Sequence, residues 1–144
     1  MNDKSKELTA SVKLVNEKLL FSGLVEGNEP VSIDYIKPLG DDMGYTSLEL
    51  LLLSLSSCVG SAVLTFLRKM NRKVSGCEIH AHGWRREEHP TGFNKIELGI
   101  VLISPDATPA DMNKVIALAE DKYCPVYSMI KGNVEVAITF TIKG

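Results

Sequence analysis

Three cysteines, Cys58, Cys77 and Cys124, have the widest chemical reach of any residues in this 144-residue chain. A thiol is a nucleophile only as its thiolate, so its reactivity follows the charges, dipoles and burial around it. Cys124 stands directly before Pro125 in Tyr123-Cys124-Pro125-Val126. Proline suits the first position of a helix, which makes Cys124 the predicted N-cap. A thiolate there faces unsatisfied N–H groups, a setting that lowers a cysteine pKa. Local reasoning therefore nominates Cys124 as the more acidic thiol, with a capping or packing role as the plainer alternative. Cys58 lies mid-way along an almost uncharged stretch, away from the end turns where a helix dipole acts. Its plainer alternative is an inert core cysteine. Two thiols placed so differently form the pattern of a redox or peroxide-reducing pair.

The remaining candidates carry less. Cys77, His80 and His82 look like a ligand set in one dimension, but strand alternation puts Cys77 with Ile79 and Ala81 and turns both histidines the other way. The histidines are expected on the surface of a strand, and His89 in a loop. No Cys-x-x-Cys occurs, so a thioredoxin-type motif and the common zinc spacings are absent. Arg85 to Glu88 reads as a solvated charge run, and Trp84 and Tyr123 as packing residues.

The elements that must position these thiols follow from periodicity. Alternation at Ser11 to Val15, Leu19 to Val25 and Val31 to Tyr35, with turns at Asn16-Glu17 and Gly27-Asn28, predicts a three-stranded meander. After a loop at Gly40 to Gly44, a helix is expected from Ser47 to about Met70. Its capping box pairs Thr46 with Glu49. Strands at Cys77 to Arg86 and Lys95 to Ile103 flank a loop at Glu87 to Gly92. Thr108 caps a second helix, with Pro109 first and Asp111 three residues after the cap, running to about Asp121. A third opens at Pro125 and ends near Gly132. Val134, Val136, Ile138, Phe140 and Ile142 mark the last strand. The order is βββ-α-ββ-αα-β, an α+β class in a single domain spanning 1–144.

Composition agrees with a globular chain, at 44% hydrophobic and 24% charged residues. A formal net charge of -2 offers no basic field for nucleic acid or an anionic membrane. The polar, mixed-charge start from Met1 to Glu7 predicts a cytoplasmic protein. Leu48 to Leu67 contains one charged residue, Glu49. It is long enough for a membrane span, but its serines and glycine, and the amphipathic strands around it, favour a long buried central helix. A chain of this size has too few other elements to cover about seven turns of helix, so an intertwined homodimer is expected. Ser57, Gly60, Ser61 and Ala62 would let a second helix approach.

Ser47-Leu48-Glu49-Leu50-Leu51 leading to Ser56-Ser57-Cys58, followed by Tyr123-Cys124-Pro125-Val126, resembles the OsmC/Ohr family, the osmotically inducible and organic hydroperoxide resistance proteins. Leu20-Phe21-Ser22-Gly23, Ile33-Asp34, Glu88-His89-Pro90 and Gly132 resemble its OsmC-like branch. The resemblance implies an OsmC-like fold, an intertwined homodimer with two interface sites, and thiol-dependent reduction of organic hydroperoxides. It matches Cys58 to the peroxidatic thiol, Cys124 to the resolving thiol and Glu49 to the glutamate region before the first cysteine. It implies no metal or flavin, and an external dithiol as reductant. Members with this activity use an arginine from the N-terminal strands, whereas the first arginine here is Arg68. Lys13 and Lys18 carry charge in that region but lack the planar fork. Nine residues of straight helix would also set Glu49 about 13.5 Å from Cys58. The alternative function is a non-catalytic dimer of the same fold that holds a small apolar ligand or senses redox state.

Overall fold

The computed structural model describes residues 3–144. They form two compact units, one ending at Leu50 and the other Leu51–Gly144.

The first unit is an antiparallel meander of β1 (Ser11–Leu14), β2 (Phe21–Leu24) and β3 (Val31–Ile33), in that spatial order. Asn16 makes the first turn, its side-chain oxygen accepting the N–H groups of Lys18 at 2.9 Å and Leu20 at 3.1 Å. Gly27, at φ 89°, supplies the left-handed residue of the second. All three strands are shorter than alternation predicts. After β3 the chain folds around the buried carboxylate of Asp34, which accepts N–H groups from Tyr35 (2.7 Å), Asp41 (3.2 Å) and Met43 (3.1 Å). Burial pushes the pKa of Asp34 up, but these hydrogen bonds and the Lys18 charge outweigh it and hold the carboxyl below its ordinary range. The loop so pinned turns Ile36, Leu39 and Met43 outward, and every residue of β1 is exposed.

Helix α1 runs unbroken over Ser47–Lys69, as the capping box predicts. The Thr46 hydroxyl accepts the Glu49 N–H at 3.2 Å, and the Glu49 carboxylate accepts the Thr46 N–H at 2.8 Å. The helix closes at Asn71, in the left-handed region at φ 60°, with the Arg72 N–H returning to the Leu67 carbonyl at 2.9 Å.

In the second unit β4 (Gly76–Arg85) pairs antiparallel with β5 (Phe93–Ile103), which pairs parallel with β6 (Glu135–Lys143). A parallel return needs a long crossover, and α2 (Pro109–Leu118) and α3 (Pro125–Ile130) supply it. Alternation in β5 buries Ile96, Leu98, Ile100 and Leu102. They pack with Leu55, Val59, Val63 and Leu67 of α1 and with Met112 and Val115 of α2. By length and composition α1 could cross a membrane, yet one of its faces is the centre of this core. Its other face leaves Leu53, Ser57, Ser61 and Thr65 exposed, so one chain covers only part of the central helix.

One expectation needs correction and another is refined. The second helix does not run as α-helix to Asp121: it ends at Leu118 and passes into a single π turn, Ala119–Tyr123. Trp84, expected to pack, does so outside the core: it stands 39% exposed on the outer face of β4, its ring stacked on His82 at 3.8 Å. Its strand parity is that of the outward His80 and His82.

Candidate active site

Cys58 sits on the flank of α1, one residue from the buried Val59, and is half-buried. Cys124 reaches the same core from the crossover. The π turn ends with the Cys124 N–H donating to the Ala119 carbonyl at 3.0 Å, and Pro125 then opens α3. This makes Cys124 the N-cap, as its sequence predicts. Its Sγ accepts the Tyr127 N–H at 3.3 Å, and its carbonyl accepts the Ser128 N–H at 3.0 Å. The side chain is 1% exposed. Both cysteines are free thiols, and Cys58 lies near enough to Cys124 to perturb its acidity. Two neighbouring thiols delivered by separate elements are candidates for a disulfide.

The acidity assigned to Cys124 from its cap position is overturned. Burial, and secondarily the neighbouring Cys58 thiol, push its pKa from 9.0 up to about 11 against the opposing Tyr127 and Val126 N–H groups. The α3 helix has only six residues, too few for a strong dipole, while loss of hydration acts on the whole thiolate. Cys124 is therefore a protonated thiol near neutrality.

Polar and aromatic side chains frame it. The Tyr127 hydroxyl donates to the Glu120 carboxylate at 3.2 Å, joining α3 to the π turn across Cys124. Burial, then the Glu120 charge and hydrogen bond, raise the Tyr127 pKa, so its hydroxyl keeps the proton it donates. Phe66 of α1 packs on Tyr123 with ring centroids 4.6 Å apart. Sequence reasoning missed Glu120 and Tyr127; the one available signal was their position a turn to either side of Cys124.

Glu49 is engaged in its cap, and no break interrupts α1 between it and Cys58. Cys77 lines a separate groove of about 520 Å³ with Leu53, Ser57, Ser61, Leu64 and Ile79, and burial raises its pKa. His80 lies 3.2 Å from Glu78 on the exposed face, as strand parity predicts. Among the described residues no three His, Cys, Asp or Glu side chains are grouped to hold a metal ion.

The family profile of OsmC-like proteins matches residues 40–139. The YhfA protein of Escherichia coli K12 is 27% identical over 101 residues, covering 70% of this chain and 75% of that one. The crystal structure of a hypothetical protein from Aquifex aeolicus superposes with a TM-score of 0.84 at 26% identity, over 96% of this chain and 97% of that one. An organic hydroperoxide resistance protein of Elizabethkingia anophelis shares the fold at a TM-score of 0.72 and 20% identity, over 95% and 96% of the two chains. The profile takes in both Cys58 and Cys124 and covers more than half of the sequence: the chain is a member of the OsmC/Ohr family.

Proposed function

We propose that this protein is a thiol-dependent peroxidase that reduces organic hydroperoxides, working as a homodimer with Cys58 as the attacking thiol. The observation that carries the reading is the pairing of half-buried Cys58 with a buried, protonated Cys124. In the first step the Cys58 thiolate attacks the outer oxygen of the hydroperoxide. The O–O bond breaks, sulfur is oxidised by two electrons, and the alkoxide leaves as an alcohol after taking a proton. In the second step the Cys124 thiol condenses with the Cys58 sulfenic acid: an S–S bond forms, the S–O bond breaks, and water departs with the Cys124 proton. An external dithiol then reduces the disulfide by exchange. The apolar surroundings, with Phe66, Val59 and Val126 in the same cluster, suit an alkyl peroxide better than hydrogen peroxide. In this scheme Glu49 acts on a thiol only through a partner chain, since its own helix is unbroken. The likeness of the fold to that of an organic hydroperoxide resistance protein of Elizabethkingia anophelis supports the same direction.

Dithiol-dependent consumption of cumene hydroperoxide is expected for the wild type and abolished in Cys58→Ser. Equal rates in the two proteins would reject the mechanism.

A second reading, a non-catalytic dimer that holds a small apolar ligand or senses redox state, is favoured by one observation. No arginine precedes Arg68, so the N-terminal strands offer no guanidinium to a thiolate. A ligand that co-purifies, with Cys58 reacting with iodoacetamide no faster than free cysteine, would support it.

A further inference from the structure

The π turn and the first turn of α3 meet at Cys124, and a single side-chain bond closes them over it. Glu120 lies in the π turn and Tyr127 in α3, seven residues apart, joined by the hydroxyl-to-carboxylate bond of 3.2 Å. The same Tyr127 holds the Cys124 sulfur through its backbone N–H at 3.3 Å. Tyr127 is thus bound at both ends, to the resolving sulfur and to the turn that delivers it. A π turn is an uncommon, weakly bonded piece of helix, and here it has no side-chain cap of its own.

We infer that Tyr127 and Glu120 are positioning residues for the resolving step, a brace that sets the Cys124 sulfur for attack on the sulfenic acid of Cys58. The inference rests on the thiol-pair reading above. Disulfide closure tolerates only a narrow range of Cα and Cβ separations, so a small drift of the π turn is felt directly in S–S bond formation. The first oxidation, at Cys58, draws on neither Tyr127 nor Glu120. The brace therefore separates two steps: peroxide attack is indifferent to it, and condensation depends on it. Without it, the sulfenic acid persists and is exposed to a second hydroperoxide, which would carry it to the sulfinic acid.

The test uses full-length Tyr127→Phe, which removes one oxygen and keeps the ring. Its sulfenic acid, formed with cumene hydroperoxide and trapped with dimedone, should form at the wild-type rate but decay to disulfide about tenfold more slowly, the factor a lost hydrogen bond corresponds to. In glutathione redox buffers the Cys58–Cys124 disulfide should be about tenfold less favoured, or about 30 mV more oxidising. Glu120→Gln keeps an acceptor and should restore both values to within about twofold of wild type, whereas Glu120→Ala should behave as Tyr127→Phe. The inference fails if Tyr127→Phe resolves and equilibrates as wild type does, or if Glu120→Gln is as impaired as Glu120→Ala. It also fails if wild type forms no Cys58–Cys124 disulfide in the redox buffer. A wild type that forms this disulfide there but gives no sulfenic acid with hydroperoxide would instead reject the peroxidase reading, leaving the redox-buffer comparison to decide on the brace.

Discussion

A thiol at a helix N-cap gains from free N–H groups, and a thiol taken out of water loses the hydration of its thiolate; at Cys124 both act on one sulfur. The second prevails, because six residues of α3 carry little dipole and the side chain is almost wholly enclosed. Its cap position is legible from Pro125 alone. Its burial is not, because the core it joins is assembled from residues of α1, β5 and α2 as well, far apart in the chain. The consequence for stability has a definite sign. Between its ordinary 9.0 and about 11, the thiol keeps its proton when folded and has lost it when unfolded. Its contribution is complete below pH 9 and disappears as pH rises through the folded value. At 1.36 kcal/mol per unit the effect is bounded at about 2.7 kcal/mol. Urea unfolding of wild type and Cys124→Ala should therefore give a stability difference that narrows between pH 9 and 11. A difference that stays constant over that range would mean that the thiol titrates normally.

At the scale of elements, regular repeats left a clear trace. The alternation of Ile96, Leu98, Ile100 and Leu102 and the capping boxes at Thr46 and Thr108 place β5, α1 and α2 from residue types alone. The π turn left none: its bonds run to the fifth residue and occur once, so no periodic pattern announces them. The outward placing of Trp84 was legible too, since the parity that turns His80 and His82 outward applies to it as well. The Thr108 box has a further member, because Arg72 lies 2.8 Å from the Asp111 carboxylate that accepts the Thr108 N–H. That Nε makes no well-directed hydrogen bond, and Nη2 of the same guanidinium donates to the other carboxylate oxygen at 3.5 Å. Thr108→Ala removes the hydroxyl that caps the Asp111 N–H and should cost about 1 kcal/mol, read as a lower urea midpoint at unchanged slope. An unchanged midpoint would show that the Arg72 contact alone holds the start of α2.

For the whole molecule the expected homodimer draws on apolar surface that one chain leaves open. In the first unit Val12, Leu39 and Met43 are more than 60% exposed, and in the second the outward face of α1 carries Leu53 at 53%. Scattered apolar residues are normal on a protein surface, but Val12 and Leu14 on one strand, and Leu53 beside the small Ser57 and Ser61 on one helix face, fit the proposed interface. Leu53→Lys places a charge on that helix face, and sedimentation should show it shifted from dimer to monomer relative to wild type. A wild type that sediments as a stable folded monomer at micromolar concentration would sink the dimer. The outward stack of Trp84 on His82 bears on how any such transition is watched. The chain has one tryptophan, so its indole emission originates on the outer face of β4, within the second unit. Indole fluorescence thus reports the Leu51–Gly144 unit alone, while the meander of β1 to β3 is optically silent at the indole wavelength and becomes visible only through its backbone dichroism.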